Sequence, residues 1–378
     1  MDVFDNQYRI YRILLKIIGL WPYDNSIYVW IQRICILMYF LIGVIFQIVL
    51  LISEITLQNC IVMLSETFPT LLFFLRYLHC ITLFSYEELL FDAIRTEEHL
   101  LHDSIEIQIQ TKYLDISSHI IDIFCWMSFI CVVATSVFIL NPVTLDVIMP
   151  SNKPRIHYNL IFLSNDQRTY IDIFIVLNLI IILIFGLLSL ICTESLINIV
   201  SYYICRQFHI VSYRLRNIIE DLSMPNLAKI DLKLRDIHRV VDIHCHAIEY
   251  INVASSNIAS QYLLAIIVCI LSFSVNLYRL YNAIITMDNE IEIFGSALMV
   301  TYHLMIVFFN NHCGQIIIDS SLDIFNELFA STWYCIPLKA QKLLLFMILR
   351  TSMGSELRIS GLFILSYAGF TSVISFLF

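Results

Sequence analysis

The residue types best suited to chemistry cluster at His238, Asp242, His244, Cys245 and His246. On a helix, His238, Asp242 and His246 share one face at i, i+4 and i+8, and three such groups can ligate zinc. No fourth ligand accompanies them, so a polar helix face explains the spacing better and no metal is expected. Gly-x-Ser-x-Gly, Walker A, His-Glu-x-x-His and Cys-x-x-Cys are all absent. No catalytic residue and no cofactor are expected, and no basic tract suits nucleic acid.

A second set of candidates consists of ionisable residues inside apolar runs, where they are costly and usually functional. Glu66 falls about two turns into such a run. It faces either a water-filled vestibule or a buried hydroxyl or Arg on another helix. Arg76, near the other end of the same run, is expected to snorkel toward headgroups. Ser360, Ile364, Tyr367, Thr371 and Ser375 recur at +4, +3, +4, +4 near the C-terminus. On one helix they form a polar stripe amid Leu, Phe, Ile and Val. Several copies around an axis would line an aqueous path; helix packing with hydroxyls bonded back to the preceding turn is the alternative. Asp288, Glu290 and Glu292 cluster where no Lys or Arg occurs from Leu280 to Leu338. They would either concentrate cations at a pore mouth or form a solvated loop.

These residues need elements to hold them, and the composition says which. Of 378 residues, 59% are apolar and only 14% charged, which is too apolar for a dispersed soluble domain. Runs near the 20 residues a spanning helix needs occur at 34–53, 60–85, 123–145, 173–193, 250–278, 293–311 and 359–378. The expected fold is all-α, a bundle of seven membrane helices. The first stretch lacks a cleavage-site pattern, so the first span is expected to act as a signal anchor. Sixteen Lys and Arg lie in 1–33, 86–117, 194–258 and 312–354, against three in 54–59, 141–169 and 284–290. That asymmetry predicts a cytoplasmic N-terminus and an extracellular C-terminus. None of the eleven cysteines lies within the outer loops, so no disulfide is expected there.

The expected organisation follows. Residues 1–33 form a cytoplasmic N-terminus, 34–193 spans one to four, and 194–258 a cytoplasmic helical segment. Residues 259–311 hold spans five and six, 312–354 cytoplasmic helices, and 355–378 the last span. Within 1–33, Ile10, Ile13, Leu14, Ile17 and Ile18 make one apolar helix face opposite Arg9, Arg12 and Lys16, the pattern of a helix lying in the membrane interface. Gly19 and Pro22 end it. In 194–258, Ile204, Phe208, Val211, Leu215 and Ile218 keep helical spacing, as do Leu234, Ile237, Val241, His244 and Ile248. Spans four to six should therefore continue past the bilayer. Pro142, Pro150 and Pro154 argue against helix in 141–169. Aromatic and methionine side chains gather in spans two, three, four and six: Phe73, Phe74, Tyr77, Trp126, Met127, Phe129, Phe174, Met299, Tyr302 and Met305. They are candidates for an apolar pocket.

"GLWP" at 19–22 resembles the N-terminus of insect odorant receptors. "FFNNHCGQIIIDSSLDIFNELFASTWYCIPLKAQKLLLFMILR" at 308–350 is similar to their sixth span and the following cytoplasmic helix. Gly314-Gln315, Ser321, Trp333-Tyr334, Pro337 and Lys342 stand where that pattern has them. "SGLFILSYAGFTSV" at 360–373 resembles their final span, and His244 fits a histidine of their inner helix. The overall style is similar to a divergent subfamily of ants, bees and wasps. The resemblance implies an odorant-binding tuning subunit of a heterotetrameric, odorant-gated, nonselective cation channel in the plasma membrane of an olfactory neuron dendrite. Its partners would be the co-receptor subunit, the lipid bilayer and a small apolar or volatile odorant. Ile364, Tyr367, Thr371 and Ser375 would line the pore. Gln315, Trp333, Tyr334 and Lys342 would belong to the cytoplasmic subunit anchor, and the ten aromatic and methionine residues above to the odorant pocket. The family's co-receptor carries an insertion that 194–258 lacks. The last span of the family usually runs two or three turns beyond the position of Phe378, so a non-functional truncated copy is one alternative. A gustatory receptor of the same superfamily is the other, although the C-terminal Thr-Tyr…Gln-Phe motif of that family is absent.

Overall fold

Long apolar runs with 3.6-residue periodicity become helices that outlast a bilayer. The computed structural model describes residues 7–24, 26–53, 57–101, 103–148, 165–223, 230–286 and 290–377. The helices are α1 (Arg9–Ile17), α2 (Ile27–Ser53), α3 (Leu57–Leu100), α4 (Ser104–Ile148), α5 (Asn165–Ser223), α6 (Ile230–Thr286) and α7 (Glu290–Ala330). A 3-10 turn at Trp333–Cys335 leads to α8 (Leu338–Thr351). Strands β1 (Arg358–Ile359) and β2 (Phe363–Ile364) precede α9 (Tyr367–Leu377). The 59 residues of α5 rise about 90 Å at 1.5 Å each, roughly three times the hydrocarbon thickness. The continuation of the inner helices past the bilayer is thus explained by one unbroken period. Ile204, Phe208, Val211, Leu215 and Ile218 are all buried.

Helix α5 is the bundle's axis. It packs against α3, α4, α6 and α7 and is buried on every face from Leu190 to Gln207, as a helix surrounded by others must be. Its polar groups therefore need protein partners. Asn198 Oδ1 accepts the Ser117 hydroxyl from α4 at 2.7 Å. Glu106 of α4 takes Arg214 in a two-point contact at 2.6 and 2.8 Å. His244 of α6 is buried against Phe208, ring centroids 5.8 Å apart. Burial, aided by the charge of Arg350, lowers its pKa to about 4, so it is neutral at physiological pH.

Four expectations change. Arg76 does not snorkel: it is 2% exposed and paired with Glu194 at 2.9 Å inside the bundle. Pro142 does not stop α4, which runs on to Ile148; membrane helices tolerate proline where neighbours satisfy the freed carbonyl. Pro150 and Pro154 lie outside the described residues. Helix α1 leaves Ile10, Ile13 and Ile17 of its expected face exposed, but it also has a second apolar stripe. Tyr8, Tyr11, Leu15 and Ile18 are buried, with Tyr11 Oη donating to the Cys192 carbonyl of α5 at 3.4 Å. The helix is packed on protein along one side, and Ile18 faces inward.

The fourth change concerns the C-terminus. Among the described residues six helices are long and apolar enough to cross a membrane: Ile27–Ile52, Cys60–Thr96, Ser104–Val137, Phe174–Ser223, Leu263–Thr286 and Glu292–Ala330. The expected run 359–378 is not one helix. Arg358 pairs with Ile364 and Ile359 with Phe363 in an antiparallel hairpin. Its turn holds Ser360 at φ 52° and Gly361 at φ 67°. A left-handed Ser-Gly pair cannot sit in an α-helix. Helix formation restarts at Ser366, whose Oγ accepts the Gly369 N–H at 3.0 Å as an N-cap. Ser360 and Ile364 therefore leave the predicted helical stripe. Tyr367, Thr371 and Ser375 remain on one face of α9, and all three are exposed.

Candidate functional site

Pro69 inside α3 cannot supply the N–H that would close a helical bond to the Ser65 carbonyl. Beside this break the bundle opens into a cavity of about 80 Å³. Its wall is built by Ser65, Glu66, Thr70 and Phe73 of α3, Thr135 of α4, Ile182 and Leu183 of α5, Asn276 and Arg279 of α6, and Leu298 and Met299 of α7. A smaller chamber of about 30 Å³ adjoins it, sharing Pro69, Phe73, Leu183 and Met299 and adding Tyr302 and His303. The Tyr302 hydroxyl lies 3.1 Å from Ser128 Oγ. Part of the larger cavity's polar lining is bonded together. Arg279 Nη1 donates to Ser65 Oγ at 2.9 Å and its Nε to Glu292 Oε1 at 3.2 Å.

Of the ten pocket candidates, the structure brings Phe73 and Met299 to both chambers and Tyr302 to the smaller one. The other seven do not line either. Tyr77 is buried elsewhere, its hydroxyl donating to the Ile18 carbonyl at 3.1 Å. Phe74 and Met305 are half-buried beside the core. Trp126, Met127, Phe129 and Phe174 are exposed on the bundle's outer surface, where an apolar side chain faces lipid. Glu66 lines the cavity, near enough to Arg279 of α6 to feel its charge. Arg279 and Asn276 of the wall are not among the residues that the sequence pattern marks. Arg279 is the last basic residue before the long stretch free of Lys and Arg, and that lone cation at the end of an apolar run was the available signal. Of the acidic cluster, Asp288 lies outside the described residues and Glu292 is tied to Arg279.

A second constellation joins α7 to α9. Asn311 Oδ1 accepts the Ser366 N–H and Gln315 Oε1 the Tyr367 N–H, both at 3.1 Å. His312 Nδ1 lies 2.8 Å from the Tyr367 hydroxyl, and Phe308 stacks over both rings. Gln315, expected in the subunit anchor, is part of this latch. The Thr371 hydroxyl donates back to the Ala368 carbonyl at 2.9 Å, satisfying itself within the helix. Trp333 and Tyr334 sit in the 3-10 turn, and Lys342 is exposed on α8. His238, Asp242 and His246 are exposed on α6, and among the described residues no group of three His, Cys, Asp or Glu is placed to hold a metal.

No curated protein matches the sequence. Solved structures of the insect olfactory receptor OR5 from Machilis hrabei share the fold. One, in complex with eugenol, aligns at TM-score 0.75 and 11% identity over 99% of this chain and 96% of the receptor. Another aligns at TM-score 0.77 and 11% identity over 98% and 95%. Residues 59–378 match the family described as 7tm Odorant receptor. That match takes in both the cavity and the α7–α9 latch, on a bundle with six helices able to cross a membrane, and so the chain belongs to the 7tm odorant receptor family, as a multi-pass, non-enzymatic membrane protein of olfaction.

Proposed function

We propose that this chain is the odorant-binding tuning subunit of a heterotetrameric, odorant-gated, nonselective cation channel, assembled with a co-receptor subunit in the dendritic plasma membrane. The cavity among α3–α7 carries the reading: a mostly apolar enclosure with a few polar groups in its wall is the form small-molecule sites take. The solved relative is bound to eugenol. Ligand would bind the open state more tightly and shift the population toward it. The basic residues support a cytoplasmic N-terminus, and the C-terminal motifs favour the divergent subfamily of ants, bees and wasps. Helix α5 ends at Ser223 and α6 begins at Ile230, which leaves no room for the co-receptor's insertion. On α8, Leu338, Leu345, Phe346 and Leu349 are exposed, an apolar face suited to cover by another subunit, in keeping with an anchor that includes Trp333, Tyr334 and Lys342. Tyr367, Thr371 and Ser375 would face the ion path.

Currents recorded across an odorant panel with and without the co-receptor test this. Odorant-evoked cation current is expected only with both subunits. Full current from the partner alone across the panel, or ion permeability unchanged in a Thr371→Val/Ser375→Ala double variant, would count against it. The cavity has its own test. A Cβ added at Gly186 of α5 would fall 2.2–2.8 Å from the Phe73 ring, forcing that ring to move within the cavity wall. Such overpacking costs about 1–3 kcal/mol. Gly186→Ala is expected to raise the odorant concentration for half-maximal current by roughly tenfold, with surface expression retained.

A further inference from the structure

Glu66 stands out once the partners of the cavity's charged groups are followed. Glu66 and Arg279 line the cavity, and Glu292 pairs with Arg279. Arg279 places Nε on Glu292 and Nη1 on Ser65. Glu66 feels the Arg279 charge at a distance, but among the described residues it makes no side-chain hydrogen bond or ion pair. Among the described residues Glu66 is thus a carboxyl group with no charged partner in contact, lining the space a ligand would enter.

We propose that Glu66 makes this cavity selective for small aliphatic amines, bound as ammonium ions. The inference rests on the cavity being the odorant site. An aliphatic amine is cationic at neutral pH, as the lysine side chain is with a pKa of about 10.4. Its ammonium group supplies the missing charge and up to three donors to the carboxylate. An acid of the same length brings a second negative charge and is repelled. An alcohol offers one donor and no charge, and a hydrocarbon leaves the carboxylate desolvated without compensation. The alkyl chain would lie along Phe73, Leu183 and Met299. Size points the same way. An engineered apolar cavity of about 150 Å³ admits benzene, so about 80 Å³ fits a molecule of about five heavy atoms. Met299 lines both this space and the smaller chamber, and the rotation of its unbranched side chain would let a longer tail pass.

The test uses n-butylamine, 1-butanol, butanoate and pentane on cells expressing the full chain with the co-receptor, with co-receptor alone as control. Wild type is expected to respond to butylamine at a concentration tenfold or more below that for butanol, and not to butanoate. Glu66→Gln keeps the shape and removes the charge; it should raise the butylamine concentration for half-maximal response tenfold or more and bring the amine-to-alcohol ratio near one. Glu66→Asp should keep the preference. Thermal stabilisation of the purified full chain in nanodiscs by millimolar butylamine, lost in Glu66→Gln, is read in parallel. Stabilisation without current supports the amine site and counts against the channel reading. Current from other odorants, with an amine-to-alcohol ratio unmoved by Glu66→Gln, leaves the channel reading standing and overturns the amine site. Neither current nor stabilisation from butylamine also overturns it.

Discussion

Gly314→Ala is expected to reduce odorant-evoked current tenfold or more, while the protein still reaches the cell surface. A Cβ built at Gly314 of α7 falls 2.1 Å from the Leu365 carbonyl oxygen, 2.6 Å from its carbonyl carbon and 2.4 Å from its Cβ. These are mostly backbone atoms, so no rotamer change relieves the clash. The connection from β2 to α9 has to back away from α7 by an ångström or more. That connection is held by Asn311 on the Ser366 N–H, Gln315 on the Tyr367 N–H and His312 on the Tyr367 hydroxyl. Each bond is near 3 Å, and a shift of that size breaks it. Losing three such bonds costs about 3 kcal/mol, before the stacking of Phe308 on His312 and Tyr367 is counted.

The expected defect is local because the helices that cross the membrane do not depend on this contact. Gly361→Ala is the control. It lies in the hairpin that leads into Leu365, but nothing lies within 4 Å of its added Cβ. Its cost is the left-handed backbone alone, roughly 1–2 kcal/mol, and most current should survive. Surface labelling and current density measured together separate the two. A Gly314→Ala receptor with wild-type current would mean that the α7–α9 latch does not hold the final helix in its working position.

Why some of this was legible in the sequence and some was not follows from how a bilayer changes the meaning of hydrophobicity. The inner helices were readable because Ile204, Phe208, Val211, Leu215 and Ile218 sit outside the main apolar runs, where burial against protein is what selects apolar residues. Within the runs that signal fails. Lipid accepts Trp126, Phe129 and Phe174 as readily as the core accepts Phe73, so composition could not sort pocket from surface. The C-terminal stripe was misread for a different reason. Ser360 and Ile364 keep helical spacing with Tyr367, and spacing alone does not register that Ser360-Gly361 takes the left-handed turn that breaks the helix. Arg76 was misplaced because its partner is remote in sequence. Glu194 falls one residue beyond the apolar run ending at 193 and read as the start of a cytoplasmic segment. In the fold α5 continues straight through, and the two meet inside the bundle.

That pair supplies the second large effect. Glu194→Leu alone, or Arg76→Met alone, is expected to lose most of the folded receptor, whereas the double variant recovers it. The side chains are 2% and 0% exposed and 2.9 Å apart. Two buried charges attract strongly only because both have given up water. Removing one leaves the other's desolvation without its counter-charge, a loss of about 3–5 kcal/mol from a total stability that for a folded protein is about 5–15 kcal/mol. Inside a bilayer the remaining charge has no route to solvent short of deforming the bundle. Replacing both with apolar side chains of similar volume removes the desolvation along with the attraction, and such exchanges are commonly neutral or stabilising by about 1–4 kcal/mol. The monodisperse fraction after detergent extraction and its thermal midpoint read the outcome. A double variant as poorly folded as either single one would show that the pair is needed for more than mutual neutralisation. A well-folded double variant without current would place its function where Arg76 borders the small cavity under Phe363 and Leu365. There the pair would set the seat on which the C-terminal hairpin rests, which couples the centre of the bundle to the latch that positions α9.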